Sequence, residues 1–179
     1  MRSAIAFVIT GWGMPNTSSA AYGVGMVQPG PARSTTLDQQ LCFALYTASR
    51  AMTSCYRPLL EAIGLTYPQY LVMLVLWERG DTTVTGISHA LQLETGTLSP
   101  LLKRLEGTGY VTRTRQVGDE RSVLVSLTPA GRALEAQAAG VQRRMASASG
   151  LTRAEIVELR TVLQRLTGQL RSVAAASAS

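Results

Sequence analysis

One stretch decides the fold: GISHALQLETGTLSPLLKRLEGTGYVTRTRQVGDERSVLVSL, residues 86–127. Thr85 can cap a short helix over 86–91, and a tight connection leads to a second helix over about 95–108. Pro100 has to lie near the opening turn of this second helix, because only there is its missing N–H not needed. Two helices this close together predict a helix-turn-helix unit.

Two strands follow the second helix. Gly109 ends the helix, and polar and apolar residues then alternate over 110–115 and 121–127, with the polar loop 116–120 between them. A hairpin in this position is the wing of a winged helix-turn-helix. We therefore predict a mainly α-helical fold with a small β wing of two or three strands.

Helical patterns also precede this unit. From Leu37, apolar residues recur at helical spacing as far as Pro58, which should end the first helix at about 56 or 57 and leave a separate turn over 59–63. The segment 67–79 is apolar on nearly every side and should be a helix at the buried centre of the domain.

The tail is helical again. Thr128 and Pro129 begin an alanine-rich helix that runs to about 147, and Thr152 with Glu155 forms a capping box for the last helix. Apolar residues of the last helix are spaced 3, 4, 3, 4 and 3, the heptad pattern of a helix–helix seam. They are Ile156, Leu159, Leu163, Leu166, Leu170 and Val173. Such a seam packs against a second copy or within its own chain, and both alternatives stay open.

The first residues differ from the rest. Residues 1–36 are rich in Gly, Ser, Ala, Pro and Thr, and we predict a disordered extension there. Their short apolar run, 4–10, matches a secretion signal only weakly. We place the folded domain at residues 37–174.

Composition excludes several classes of protein. Lys and Arg outnumber Asp and Glu 17 to 11, a net charge of +6, which indicates a polyanionic partner. Two cysteines and one histidine exclude a disulfide scaffold and a multi-histidine or cysteine-rich metal centre. No apolar run reaches the ~20 residues of a membrane helix. We expect a soluble, cytoplasmic protein without a metal or cofactor.

Polar side chains of the helix-turn-helix could bind DNA. The second helix of such a unit enters the major groove, where its N-terminal residues contact base edges and its cations neutralise phosphates. The candidates are Thr95, Gly96, Thr97, Ser99, Lys103 and Arg104 on the helix, and Arg113, Arg115 and Arg121 in the hairpin. The alternative is a set of ordinary solvated charges, since the loop also carries Asp119 and Glu120.

Residues 96–131, GTLSPLLKRLEGTGYVTRTRQVGDERSVLVSLTPAG, resemble the winged-helix core of the MarR-type transcription regulators. The resemblance implies that the helix with Thr97 and Lys103 contacts bases in the major groove. It also implies that Arg121 enters the minor groove, with Asp119 orienting it. Members of the family bind pseudo-palindromic operators as homodimers, through an interface built from their first and last helices.

The segments LCFALYTASRAM, YRPLL and LTYPQYL, within residues 41–71, are similar to the OhrR branch of that family, the organic-hydroperoxide sensors. This resemblance implies that Cys42 is the reactive cysteine and that Tyr56 and Tyr67 of the other subunit hydrogen-bond around it. Tyr46 would line the same pocket. Without the resemblance, Cys42 would be interpreted as a small buried hydrophobe.

The chemistry of Cys42 depends on whether a second thiol can reach it. A thiolate attacks a peroxide and becomes a sulfenic acid, and Phe43 would favour a bulky organic hydroperoxide. Cys55 lies thirteen residues later, about 20 Å along one continuous helix, which is too far for a disulfide within the chain. We therefore expect a small cellular thiol to cap oxidised Cys42, while an intersubunit Cys42–Cys55 bond stays open.

The hypothesis is a homodimeric repressor that binds double-stranded DNA and is released when organic hydroperoxide oxidises Cys42. One alternative is a MarR-type repressor that binds a small phenolic ligand between its domains, with Cys42 incidental. The other is a thiol peroxidase. The sequence shows no Cys–His pair, so we expect no enzyme activity.

Overall fold

The computed structural model describes residues 36–116 and 119–177, and for residues 116 and 119–121 it describes the backbone alone. Met1–Gln39 and Gln40–Ser179 are separate units. Of the first unit only residues 36–39 are described, and they hold a 3-10 turn, Leu37–Gln39. The predicted extension over residues 1–36 therefore lies almost entirely outside the described residues.

Helix α1 spans Leu41–Glu61 and passes through Pro58, so the prediction of a break at Pro58 is wrong. A proline inside a helix forfeits one backbone hydrogen bond and costs about 3 kcal/mol. Leu60, two residues later, is fully buried, and Leu59 and Ile63 pack partly buried against the same core. Their burial, about 2 kcal/mol for a full leucine, offsets the cost of the proline. Gly64, at φ +71°, then turns the chain away.

Helix α2, Tyr67–Arg79, lies at the centre of the domain as predicted. Its first turn is closed by a capping interaction in which the Thr66 backbone N–H donates to the Gln69 side-chain oxygen at 2.8 Å. The helix ends at Gly80, whose φ of +72° leaves the helical conformation. Six of its thirteen residues are buried, in keeping with its nearly continuous apolar sequence.

The helix-turn-helix begins with a strand that the sequence patterns did not predict. Strand β1, Thr82–Thr83, leads directly into helix α3, Val84–Leu91. The cap is Thr83, whose Oγ1 accepts from the Gly86 N–H at 3.1 Å. The prediction of Thr85 as the cap is therefore wrong, because strand pairing fixes the two residues before the helix. Gln92, in the left-handed conformation at φ 59°, turns the chain into helix α4, Thr95–Gly107.

The wing is a three-stranded antiparallel sheet. Strand β2 is Val111–Gln116 and β3 is Asp119–Leu127. The strand order in the sheet is β1-β3-β2. Gln116 pairs with Asp119, so the two strands are separated by residues 117 and 118 and the predicted loop over 116–120 is too long. A register shift after Arg115 lets these polar residues continue the pairing instead of looping out.

Two long helices follow the wing. Helix α5, Pro129–Ala148, begins at Thr128, whose Oγ1 accepts from the Gly131 N–H at 3.0 Å. Helix α6, Arg153–Ser177, begins with the predicted capping box between Thr152 and Glu155. Within the described ranges, no helix combines the length and the apolar character needed to cross a membrane.

Gly131 joins α5 to the wing and to the core. A Cβ at this position would lie 2.1 Å from the Tyr110 backbone oxygen. The Gly131 carbonyl in turn accepts from the Trp77 indole N–H at 2.9 Å. The start of α5 is therefore fixed against both the wing and α2 by contacts that leave no room for a side chain.

We expect Gly131→Ala to lower the free energy of unfolding by at least about 2 kcal/mol, because the added methyl group meets backbone that cannot move away. The matched control is Gly140→Ala on the same helix, where nothing lies within 4 Å of the added Cβ. The control should raise stability by about 0.5 kcal/mol through helix propensity. Urea denaturation of both variants measures the difference, and equal stabilities would contradict the close packing at Gly131.

Candidate nucleic-acid interface and cysteine site

Helix α4 has one buried face and one exposed face. Leu98, Leu102 and Leu105 are buried in the core, as the leucine spacing predicts. The residues assigned to DNA on this helix are all exposed: Thr95, Gly96, Thr97, Ser99, Lys103 and Arg104. The helix therefore presents a polar surface with two cations to the outside, which is the arrangement a recognition helix requires.

Arg113 is paired with a carboxylate of α4. Its Nε donates to Glu106 Oε2 at 2.9 Å, its Nη2 reaches the same oxygen, and its backbone N–H donates to Glu106 Oε1 at 3.2 Å. The Arg113 side chain lowers the pKa of the Glu106 carboxyl below its ordinary value. This ion pair connects the wing to helix α4. The sequence patterns suggested that Arg113 binds DNA and did not predict its ion pair with Glu106, although the two residues are only seven positions apart.

The other wing candidates are only partly described. Arg115 is exposed on β2, where it lies opposite Val123 of β3. The side chains of Asp119 and Arg121 lie outside the described residues, so the predicted contact between them stays a prediction. Arg113 and Arg115 are both exposed wing cations, and of these two Arg113 is the one paired with Glu106.

Cys42 is the second residue of α1, and its side chain is exposed. Cys55 is exposed on the same helix. The helix is continuous between them, so thirteen residues separate them by about 20 Å. That separation excludes a disulfide within one chain. Phe43, beside Cys42, is half-buried.

Tyr46 is held by an arginine that the sequence patterns did not single out. Arg50 Nη1 donates to the Tyr46 hydroxyl oxygen at 2.8 Å. The guanidinium carbon lies 5.5 Å from the centre of the same ring, which also permits a cation–π contact. The signal in the sequence is the spacing of four residues, which places two side chains on one helix face.

Tyr56 and Tyr67 lie together at the other end of α1. Their ring centres are 5.0 Å apart, and Tyr70 lies 5.8 Å from Tyr56. Burial raises the pKa of Tyr56 and of Tyr67, and the neighbouring tyrosines raise the pKa of Tyr56 further. The pKa of Tyr70 is raised by burial and partly lowered again by the side chain of Gln142. These phenols therefore remain protonated hydrogen-bond donors at neutral pH.

Cys42 and the Tyr56–Tyr67 pair do not meet within one chain. Fourteen residues of continuous helix separate Cys42 from Tyr56, about 21 Å along the axis. Tyr46 is one turn from Cys42, whereas Tyr56 is almost four turns away. Only a second copy of the chain could bring the phenols of Tyr56 and Tyr67 to Cys42.

An apolar groove lies between α1, α5 and α6. Its volume is about 1040 Å³. Met52 and Cys55 of α1, Met145 of α5, and Leu159 and Leu163 of α6 are among the residues that line it. Among the described residues, no three His, Cys, Asp or Glu side chains lie close enough together to hold a metal ion.

Comparisons with known proteins point to transcription regulators. Residues 54–137 match the family described as "Transcriptional regulator SarA/Rot". The chain is 44% identical to the "Organic hydroperoxide resistance transcriptional regulator" of Bacillus subtilis strain 168, over 73% of this chain and 88% of that protein. It is 45% identical to the "HTH-type transcriptional regulator TtmR" of Methylorubrum extorquens strain PA1, over 79% and 71% respectively.

A solved structure shares the fold. The "Structure of reduced AbfR bound to DNA" is 37% identical to this chain with a TM-score of 0.66. The match covers 76% of this chain and 94% of that one. AbfR is a protein of Staphylococcus epidermidis.

The Glu106–Arg113 pair leads to a pH-dependent prediction. A carboxyl whose pKa is lowered on folding stabilises the native state above its ordinary value of 4.5, and this stabilisation is lost as the pH falls through the lowered pKa. Wild type should therefore be more stable than Glu106→Gln at pH 7, and the difference should vanish toward pH 3. Thermal unfolding across this range measures it. Glu158→Gln, an exposed change on α6, is the control, and a difference that persists undiminished at pH 3 would contradict the ion pair.

Proposed function

Because this chain belongs to the MarR family of winged-helix transcriptional regulators and is itself a DNA-binding regulator of transcription, we propose that it is a homodimeric repressor that leaves DNA when Cys42 is oxidised by an organic hydroperoxide. The observation that carries the proposal is the position of Cys42. It is exposed at one end of α1, and the protonated phenols of Tyr56 and Tyr67 lie at the other end.

The proposed contacts with DNA follow from the exposed face of α4. Thr95, Gly96, Thr97 and Ser99 lie in its first two turns, where they can reach base edges in the major groove. Lys103 and Arg104 lie further along, where they can neutralise phosphates. We assign Arg115 and Arg121 to the DNA backbone or minor groove beside the wing, with Asp119 orienting Arg121. Arg113 acts through its pairing with Glu106, which holds the wing against α4.

The proposed dimer covers apolar side chains that the chain leaves exposed. On α6, Leu159, Leu170 and Val173 are 47%, 61% and 64% exposed, and all 25 described residues of this helix are at least partly exposed. On α1, Leu41 and Met52 are 60% and 50% exposed. The other seam residues, Ile156, Leu163 and Leu166, are half-buried, so packing within the chain covers the heptad seam only in part. A second copy that buries both helices also gives Cys42 access to the tyrosines of its partner.

The proposed sensing reaction has two balanced steps. The Cys42 thiolate attacks the terminal peroxide oxygen, so that an S–O bond forms and the O–O bond breaks. Cys42 becomes a sulfenic acid, and the hydroperoxide leaves as an alkoxide that takes a proton to become an alcohol. A low-molecular-mass thiol then attacks the sulfenic sulfur, forming a mixed disulfide and releasing water. Cys42 and one small thiol are thereby oxidised to a mixed disulfide, and the hydroperoxide is reduced to an alcohol and water.

Oxidation is proposed to act on DNA binding through the dimer. Phenolic O–H groups that donate to a thiolate lose that acceptor when the sulfur is oxidised and capped, and the added group needs space at the interface. The two α4 helices would then lose the spacing of about 34 Å that matches successive major grooves. The site of action is the cytoplasm, where the DNA and the small thiol both occur.

A second candidate is a non-covalent ligand. The groove between α1, α5 and α6 is apolar and has a volume of about 1040 Å³, enough for a small phenolic molecule. In that case the protein would release DNA on binding the ligand, and Cys42 would stay unmodified. Thiol peroxidase activity would require continuous turnover with a reductant, and the relatives described above are regulators.

Replacing Cys42 tests the proposal directly. Cys42→Ser should bind the operator like wild type when reduced and stay bound after addition of one equivalent of cumene hydroperoxide with excess small thiol. Fluorescence anisotropy at fixed salt measures DNA release, and intact-protein mass spectrometry measures capping. Cys55→Ser is the matched control on the same helix and should respond like wild type. Release of the Cys42→Ser variant, or an unmodified Cys42 in released wild type, would favour the ligand instead.

Exposed residues of the seam test the dimer. In an isolated chain Leu170→Glu should change the free energy of unfolding little, because the side chain is 61% exposed. In the proposed dimer it buries a charge, so the dimer should weaken at least about tenfold. Analytical ultracentrifugation measures the dissociation constant, with Glu158→Gln on α6 as the control. An unchanged dissociation constant would show that the heptad seam does not lie in the dimer interface.

A further inference from the structure

We propose that Arg50 is a positioning residue for the redox reaction, which holds Tyr46 so that its phenolic proton is available to the sulfur of Cys42. This inference rests on the proposed sensing function and assigns a residue to it that the sequence patterns did not select. The juxtaposition that carries it is a row of three exposed side chains on α1, Cys42, Tyr46 and Arg50, each one turn from the next.

The direction of the hydrogen bond is fixed by chemistry. A guanidinium group has five N–H donors and no acceptor. Arg50 Nη1 therefore donates to the Tyr46 oxygen over 2.8 Å, and the Tyr46 oxygen accepts. The single O–H proton of Tyr46 is then free to donate to another acceptor. A thiolate or a sulfenate is such an acceptor, and a donor whose oxygen already accepts from a cation is a stronger one.

The spacing of four residues places the phenol and the cysteine on one face of α1. Side chains of an α-helix lean toward its N-terminus, which favours Arg50 over the turn of Tyr46 and Tyr46 over the turn of Cys42. The cation is also stacked near the ring face, 5.5 Å from the ring centre to the guanidinium carbon. Two contacts thus restrict a ring that is 55% exposed. An exposed pair contributes little to stability, so a role in holding Tyr46 explains the geometry better than a role in folding.

A double-mutant cycle tests this inference. The measured quantity is the second-order rate constant for oxidation of Cys42 by cumene hydroperoxide in the reduced full-length protein, followed by quenched-flow mass spectrometry. Arg50→Gln and Tyr46→Phe should each slow the reaction about fivefold, the effect of one hydrogen bond of about 1 kcal/mol. The double variant should be no slower than Tyr46→Phe alone, because Arg50 acts through the phenol. Arg50→Lys keeps the charge without the planar fork and should fall between wild type and Arg50→Gln.

The control is Arg57→Gln, which removes an exposed arginine from the same helix and should leave the rate unchanged. Reduced Arg50→Gln should also keep the dimer and the DNA affinity of wild type. A rate for Arg50→Gln equal to wild type would overturn the inference, as would a double variant in which the two effects multiply, or loss of the dimer. Each of these outcomes is read in an experiment in which Cys42 of the wild-type protein does react with the hydroperoxide. A wild-type Cys42 that does not react would instead overturn the proposed function itself.

Discussion

The continuity of helix α1 between Cys42 and Tyr56 is the constraint on which the other features depend. One end of this helix is anchored in the core by fully buried Leu60. The other end carries Leu41, Cys42 and Tyr46 and is exposed. A rigid helix of 21 residues therefore holds the cysteine about 21 Å from the tyrosine cluster. This rigidity prevents a contact within the chain, and in the proposed homodimer a second copy of α1 would place each cysteine beside the tyrosines of the other chain.

Packed contacts connect the cluster of Tyr56, Tyr67 and Tyr70 to the wing and to helix α4. The centre of the domain is α2, which carries Tyr67 and Tyr70 of the tyrosine cluster and Trp77, whose indole binds the start of α5 at Gly131. Gly131 also packs against the backbone of Tyr110, where the wing begins. The wing is bound to α4 by the Glu106–Arg113 pair. Close contacts thus run continuously from the tyrosine cluster to α4, where we propose that DNA binds.

Sequence patterns predicted the elements whose signals are local. Helices α2 and α6 begin at their capping residues, and the buried and exposed faces of α4 follow from the spacing of Leu98, Leu102 and Leu105. The helix break predicted at Pro58 was wrong because burial of Leu60 offsets the cost of the proline. That burial is a tertiary contact, which local helix propensity does not include. Strand β1 was missed because two residues show no alternation, and Thr83 became the cap as a consequence. The partners of Arg113 and Tyr46 were missed because charge and ring type alone do not reveal which side chains meet.

The most direct test of the account uses mixed dimers. One chain carries Cys42→Ser and intact tyrosines, and the other carries Cys42 with Tyr56→Phe and Tyr67→Phe. If the partner's phenols serve each cysteine, the single Cys42 of this heterodimer reacts with cumene hydroperoxide at the wild-type rate, while the homodimer lacking both phenols reacts slowly. A heterodimer as slow as that homodimer would show that each cysteine depends on tyrosines of its own chain, and would contradict the arrangement that α1 imposes.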